Sequence, residues 1–129
     1  MAISTGTIRY SPQTLHTQEK WWVVVDCDPE LGKYYRYMYN KWAPWSKLQR
    51  PAWEEHISVV RNEEPPIKDM WRAYEGRQVE FEYSTEVEAI GLYFWLPVKC
   101  SFFGQLRVEL GLAEKPIYDF HLTIGNKVQ

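Results

Sequence analysis

Tyr118-Asp119-Phe120-His121-Leu122-Thr123-Ile124-Gly125-Asn126 alternates apolar Phe120, Leu122 and Ile124 with polar Asp119, His121 and Thr123. Successive side chains of a strand point to opposite faces, so the pattern predicts a strand with one greasy face turned to a core. Its other face carries an imidazole and a hydroxyl two residues, about 7 Å, apart. Glu55-His56-Ile57-Ser58-Val59-Val60-Arg61-Asn62 repeats the arrangement. Ile57 and Val59 take the core face, and His56 and Ser58 share the opposite one. Two such strands in one small chain can set two imidazoles and two hydroxyls around one phosphate.

At 129 residues and 15.4 kDa, the chain has the size of a single domain spanning 1–129, large enough for a real core. Its net charge of −2 offers no general attraction for a polyanion, so long nucleic acid is not an expected partner. A small anionic ligand held by a few local cations is compatible with it. Seven Trp, nine Tyr and five Phe supply core volume and stacking surfaces. Cys27 and Cys100 form no disulfide framework or Cys-x-x-Cys site, and read as reduced, mostly buried thiols. Met1-Ala2-Ile3-Ser4-Thr5-Gly6 lacks the regions of a signal peptide, and no apolar run approaches the roughly 18 residues of a span. The expectation is a soluble cytoplasmic protein without a membrane partner; its oligomeric state is left open.

Around the two histidine strands, further elements follow from periodicity. Residues 3–10 are β-prone and end at Ser11-Pro12. His16 falls in a polar loop. Trp21 to Cys27 is apolar on both faces until Asp26, which suits a central strand; Trp21 and Trp22 point to opposite faces, one to the core and the other to a groove or, the commoner role, under a covering helix. Asp28-Pro29 starts a helix, and Leu31, Tyr34, Tyr35, Met38, Tyr39 and Trp42 form its apolar stripe, with Lys33, Arg36 and Lys41 on the wet side. Pro44 stops it, and a loop from Trp45 to Trp53 follows. Asp69 to Tyr74 makes at most a short helix ended by Gly76. Gln78 to Tyr83 alternates strictly, and Ile90 to Leu96 reads as one strand. Phe102 or Phe103, Leu106 and Leu110 mark a second helix that Gly111 terminates. The order β, β, α, β, short α, β, β, α, β does not alternate as a parallel doubly wound fold would. It predicts an α+β sandwich with largely antiparallel pairing, in two similar halves that each end on a histidine strand.

Phosphodiester cleavage needs one proton removed from the attacking oxygen and another delivered to the leaving oxygen. Histidine titrates near pH 6.5, so one can be neutral while its twin is protonated. Ser58 and Thr123 can donate to the non-bridging oxygens as charge builds there. The chemistry requires no cofactor or metal, and the acidic residues show no metal-ligand spacing. Tyr10, Tyr93 and Trp95 are candidate base-stacking residues and Arg61 a candidate phosphate contact; packing or a surface role is the competing reading for each.

The pair His56-Ile57-Ser58 and His121-Leu122-Thr123 resembles the paired His-x-Ser/Thr signature of the 2H phosphoesterase superfamily. Within it, the chain is similar to the phage anti-CBASS nuclease branch. Thr5-Gly6-Thr7-Ile8-Arg9-Tyr10-Ser11, Asp28-Pro29-Glu30-Leu31, His56 to Arg61 and Trp71-Arg72-Ala73-Tyr74-Glu75-Gly76 carry that likeness. The resemblance implies a bilobal α+β fold with pseudo-twofold symmetry. Two mainly antiparallel sheets with flanking helices would surround a central groove, across which the histidines face each other. It also implies a metal-independent phosphodiesterase that opens the 3′–5′ bonds of cyclic di- and trinucleotide immune signals. If phage-encoded, it would work in the host bacterial cytoplasm. Two departures stand out. Ser58 occupies a position where many members carry Thr, keeping the hydroxyl. The sequence runs only eight residues past His121, so nucleobase contacts from a longer tail are not carried over.

Three other readings compete: an RNA 2′,3′-cyclic phosphodiesterase of the same superfamily, a non-catalytic cyclic-nucleotide sponge, and a virion accessory protein with incidental histidines. Which histidine is the base is not readable from sequence.

Overall fold

The computed structural model describes residues 1–12, 20–51 and 55–127; His16 and Trp53 lie outside them. The elements are β1 (Ala2–Tyr10), β2 (Trp22–Cys27), α1 (Pro29–Trp42), a 3-10 turn (Pro44–Ser46), β3 (His56–Arg61), β4 (Gln78–Tyr83), β5 (Glu88–Ile90), β6 (Tyr93–Lys99), α2 (Ser101–Glu109) and β7 (His121–Asn126). Strands neighbour in the order β4-β1-β2-β3-β7-β6-β5, every pairing is antiparallel, and β4 also pairs with β6. Six strands therefore close into a barrel, with β5 attached outside the ring on β6.

This corrects the expected architecture. The chain is not a bilobal α+β sandwich with two sheets around a groove; it is a mainly β closed barrel with two α-helices among the described residues. The histidine strands do not face each other from separate lobes. They are neighbours in one wall, β3 beside β7. Alternation says which face of a strand is buried but not which strand lies beside it. Closure removes the sheet edges that two open sheets would leave unpaired.

The ring has an internal twofold: β1-β2-α1-β3 corresponds to β4-β6-α2-β7, with β3 meeting β7 and β1 meeting β4. Both histidine strands are bulged at the same place. Val24 pairs with Ser58 and Val23 with Val60, which leaves Val59 unmatched. Trp95 pairs with Thr123 and Phe94 with Gly125, which leaves Ile124 unmatched. A bulge bends its strand and steepens the local twist, which suits a small closed barrel.

Ile8, Val23, Val25, Ile57, Phe81, Leu96, Leu122 and Ile124 fill the interior. Helix α1 packs against β7 and α2 against β3. Asp28 caps α1 by accepting from the Glu30 N–H at 2.9 Å. Leu31, Tyr35 and Tyr39 pack on the barrel, whereas Tyr34, Met38 and Trp42 of the same stripe are exposed. Arg36, expected on the wet side, is turned inward instead. The bulge of β7 turns the Ile124 carbonyl toward α1, so a cation within the contact satisfies an acceptor that a wider greasy stripe would leave unpaired. On α2, Phe103, Leu106 and Leu110 are buried as their spacing predicts, and Gly111 leaves the helix at φ +80°. Two local expectations change. Ile90 to Leu96 is not one strand, because the chain turns at Gly91 (φ +60°) between β5 and β6. Residues 69–76 form turns rather than a helix.

Candidate active site

Ile57 pairs with Leu122, and both point into the core. One register step either way sets His56 opposite Thr123 and Ser58 opposite His121, all four on the outer wall and half-buried. Facing residues of an antiparallel pair have Cβ atoms about 4.5–5.5 Å apart, and diagonal neighbours about 7–8 Å. The result is a two-by-two array with histidines on one diagonal and hydroxyls on the other. The barrel's internal twofold passes through its centre, exchanging His56 with His121 and Ser58 with Thr123.

Neighbouring strands hold the array. The Trp22 indole N–H donates to Ser58 Oγ at 3.0 Å. With one lone pair so occupied, the Ser58 hydroxyl is oriented to donate its own hydrogen elsewhere. The same indole lies edge-on to His56, with centroids 5.7 Å apart, and under the Arg61 guanidinium at 4.7 Å. His121 Nδ1 sits 2.8 Å from the Asp119 carbonyl oxygen. A carbonyl only accepts, so Nδ1 carries the hydrogen and Nε2 is the nitrogen left for chemistry. Trp95 flanks His121 with centroids 5.6 Å apart. Beside His56 in register, the Asp26 carboxylate takes two hydrogen bonds from Arg9, at 2.8 and 2.9 Å.

Behind the wall, each bulge is braced by the helix of the other half. Arg36 of α1 donates to the Ile124 carbonyl at 2.9 Å and lies 3.7 Å from the Glu55 carboxylate. Arg107 of α2, which is almost wholly buried, donates to the Val59 carbonyl at 2.9 Å. It also donates to both Glu63 oxygens at 2.7 and 3.0 Å and to the Ala113 carbonyl at 2.7 Å. The Arg107 guanidinium holds the Glu63 carboxyl below its usual range. Ile124 and Val59 directly follow Thr123 and Ser58, so the arginines set the backbone from which both hydroxyls project.

The remaining candidates scatter. Tyr10 is excluded as a stacking residue: it points into the core against Trp71, centroids 5.1 Å apart, and burial pushes its phenol up to about 12. Arg61 and Trp95 border the array, on the Trp22 and His121 sides respectively. Tyr93 is exposed one step beyond it, opposite Asn126. No motif marks Trp22, Arg36 or Arg107. The available signal was confined to α2, where Arg107 is the single cation and lies between core residues Leu106 and Leu110; Arg36 is one of three cations in α1 and carries no such mark. Cys27 is buried with its thiol pushed up to about 12, and neither cysteine is in a disulfide.

No group of three or more metal-ligating side chains occurs among the described residues, nor any helix long and apolar enough to cross a membrane. No family model matches the sequence, and no curated protein or solved structure matches it either.

Proposed function

We propose that the chain is a phosphodiesterase in which His56 and His121 exchange protons with a ribonucleotide phosphodiester. The observation that carries this reading is the crossed array. In-line displacement at phosphorus places the attacking and leaving oxygens on opposite sides, with the non-bridging oxygens between them. A phosphate over the centre of the array has an imidazole toward each of the first pair and a hydroxyl toward each of the second.

His121 is assigned as the base, because its tautomer leaves Nε2 open. It takes the proton of a ribose 2′-OH, and the 2′-oxygen bonds to phosphorus. The P–O5′ bond breaks, and His56 as imidazolium protonates the departing oxygen. The products are a 2′,3′-cyclic phosphate and a 5′-hydroxyl; water then opens the ring with the proton roles reversed. Neither step requires a metal. The substrate class, cyclic di- and trinucleotides with 3′–5′ bonds, is drawn from the likeness of the two motifs to those of 2H phosphoesterases. It does not rest on a shared architecture.

Incubation in EDTA with a panel of cyclic oligonucleotides, and with RNA ending in a 2′,3′-cyclic phosphate, tests the proposal through mass analysis of products. Opening of a cyclic oligonucleotide supports it. Turnover of the RNA ends alone keeps the chemistry and changes the substrate. Recovery of bound ligand intact overturns catalysis in favour of a sponge.

A further inference from the structure

The average charge conceals a segregation. From Leu31 to Pro51 there are five basic residues, Lys33, Arg36, Lys41, Lys47 and Arg50, and no acidic one; the rest of the chain has ten basic against seventeen acidic. The solvent side of this stretch is also aromatic. Tyr34, Tyr37, Met38, Lys41, Trp42 and Trp45 recur at i, i+3, i+4, i+7, i+8 and i+11, one face of α1 continued into the 3-10 turn. That face is turned away from the barrel: Trp42 and Trp45 are 73% and 80% exposed, and Tyr34 and Tyr37 more than half. The two indoles lie beside each other, centroids 6.3 Å apart. Lys33 pairs with Glu30, 3.9 Å away on the open surface, a contact that contributes little.

We propose that this face binds a short single strand of nucleic acid. Exposed rings interleaved with cations match a ligand that is a string of π-faces on an anionic backbone. A second copy docked through the same patch would bring like charges together. A heterologous contact with the acidic remainder would build rings or open filaments, which a dimerisation readout would register as assembly. The connector after Trp45 runs along β7, where Gln49 and Asn126 exchange backbone hydrogen bonds of 2.7 and 3.2 Å three residues past Thr123. The patch thus adjoins the wall that carries the histidines, but binding to it does not depend on the proposed cleavage.

The test uses the full chain and a fluorescent 2′-O-methyl oligoribonucleotide of about twelve residues, which lacks the attacking hydroxyl and cannot be cut by the proposed route. Anisotropy is expected to show binding that weakens on the order of tenfold between about 50 and about 200 mM salt, as three lysine–phosphate contacts require. Trp42→Ala and Trp45→Ala are each expected to weaken it about tenfold, and Lys41→Glu several-fold, with unchanged circular dichroism. Because the probe cannot be cut, binding is read without turnover, and a failure of catalysis leaves this result standing. No binding at low salt, or full affinity in both tryptophan variants, would overturn the inference. So would tryptophan-dependent capture on phosphatidylcholine–phosphatidylglycerol vesicles, or tryptophan-dependent dimerisation, in place of oligonucleotide binding.

Discussion

Strands β3 and β7 carry the same His-x-hydroxyl pattern and the same bulge, yet the residue after the bulge is Val60 in one and Gly125 in the other. The difference lies in what is laid against them. A Cβ on Gly125 would come within 2.6 Å of the Gln49 carbonyl oxygen and 3.0 Å of Leu48 Cβ, because the connector from α1 runs along β7. Val60 instead points into the core, and α2 reaches β3 through the buried Arg107. A symmetric frame is therefore supported asymmetrically. His121 is fixed by a backbone carbonyl and flanked by Trp95, whereas His56 stands against the edge of Trp22 beside the Arg9–Asp26 pair.

If the two strands supply the two proton-transfer groups, His56→Ala and His121→Ala should each cut turnover by about 10²- to 10⁴-fold. The double variant should be little worse than either single one, since both serve one reaction. The parent should show a bell-shaped pH profile. A single variant that turns over like the parent would break the equivalence of the strands.

The braces are the next comparison. Arg107→Met leaves the Val59 and Ala113 carbonyls and Glu63 without their partner, and should cost about 3 kcal/mol in urea unfolding. Arg36→Met loses one carbonyl contact and a longer ion pair, and should cost about 2 kcal/mol. Both should lower turnover without a matching change in KM. Arg107 also adds a pH signature. Glu63 titrates below its ordinary 4.5, so the stability it contributes is fully present above that value and is lost as pH falls through the lowered folded pKa. Urea midpoints measured downward from pH 5 should fall less steeply in Glu63→Gln than in the parent.

At the residue after the bulge, Gly125→Ala should cost about 2 kcal/mol, because backbone rather than a flexible side-chain end must give way. Val60→Ala only removes two methyl groups from the core and should cost about 1–2 kcal/mol. A Gly125→Ala variant as stable as the parent would mean that the 48–50 connector does not press on β7 in solution.

Smallest is Trp22→Phe, which keeps an aromatic edge for His56 but removes the donor to Ser58 Oγ. About 1 kcal/mol of stability and a few-fold of turnover should go with it. In a double-mutant cycle, Ser58→Ala should matter less in the Trp22→Phe background than in the parent. Strict additivity would show that the indole does not orient the hydroxyl.

Local pattern goes far in this chain. Alternation marks both histidine strands and the hydroxyl face, Asp28-Pro29 marks the start of α1, and Gly111 marks the end of α2. It fails where one residue serves a neighbour remote in sequence. Arg36 resembles an ordinary surface cation until the Ile124 carbonyl, 88 residues away, is placed under it. Tyr10 resembles a rim aromatic until the barrel closes around it, and Gly91 reverses a chain that reads as continuous strand.

By itself the sequence determined which side chains share a face: His56 with Ser58 and His121 with Thr123, because a strand's period of two is a property of the backbone alone. Only the tertiary structure decided that the two faces join edge to edge in one barrel wall rather than confront each other across a groove. Strand neighbours are chosen by which edges are left unpaired, and β4 meeting β6 closes the ring that leaves β3 no partner on that side but β7. The array's crossed diagonals follow from that antiparallel register, which no single stretch of the chain contains.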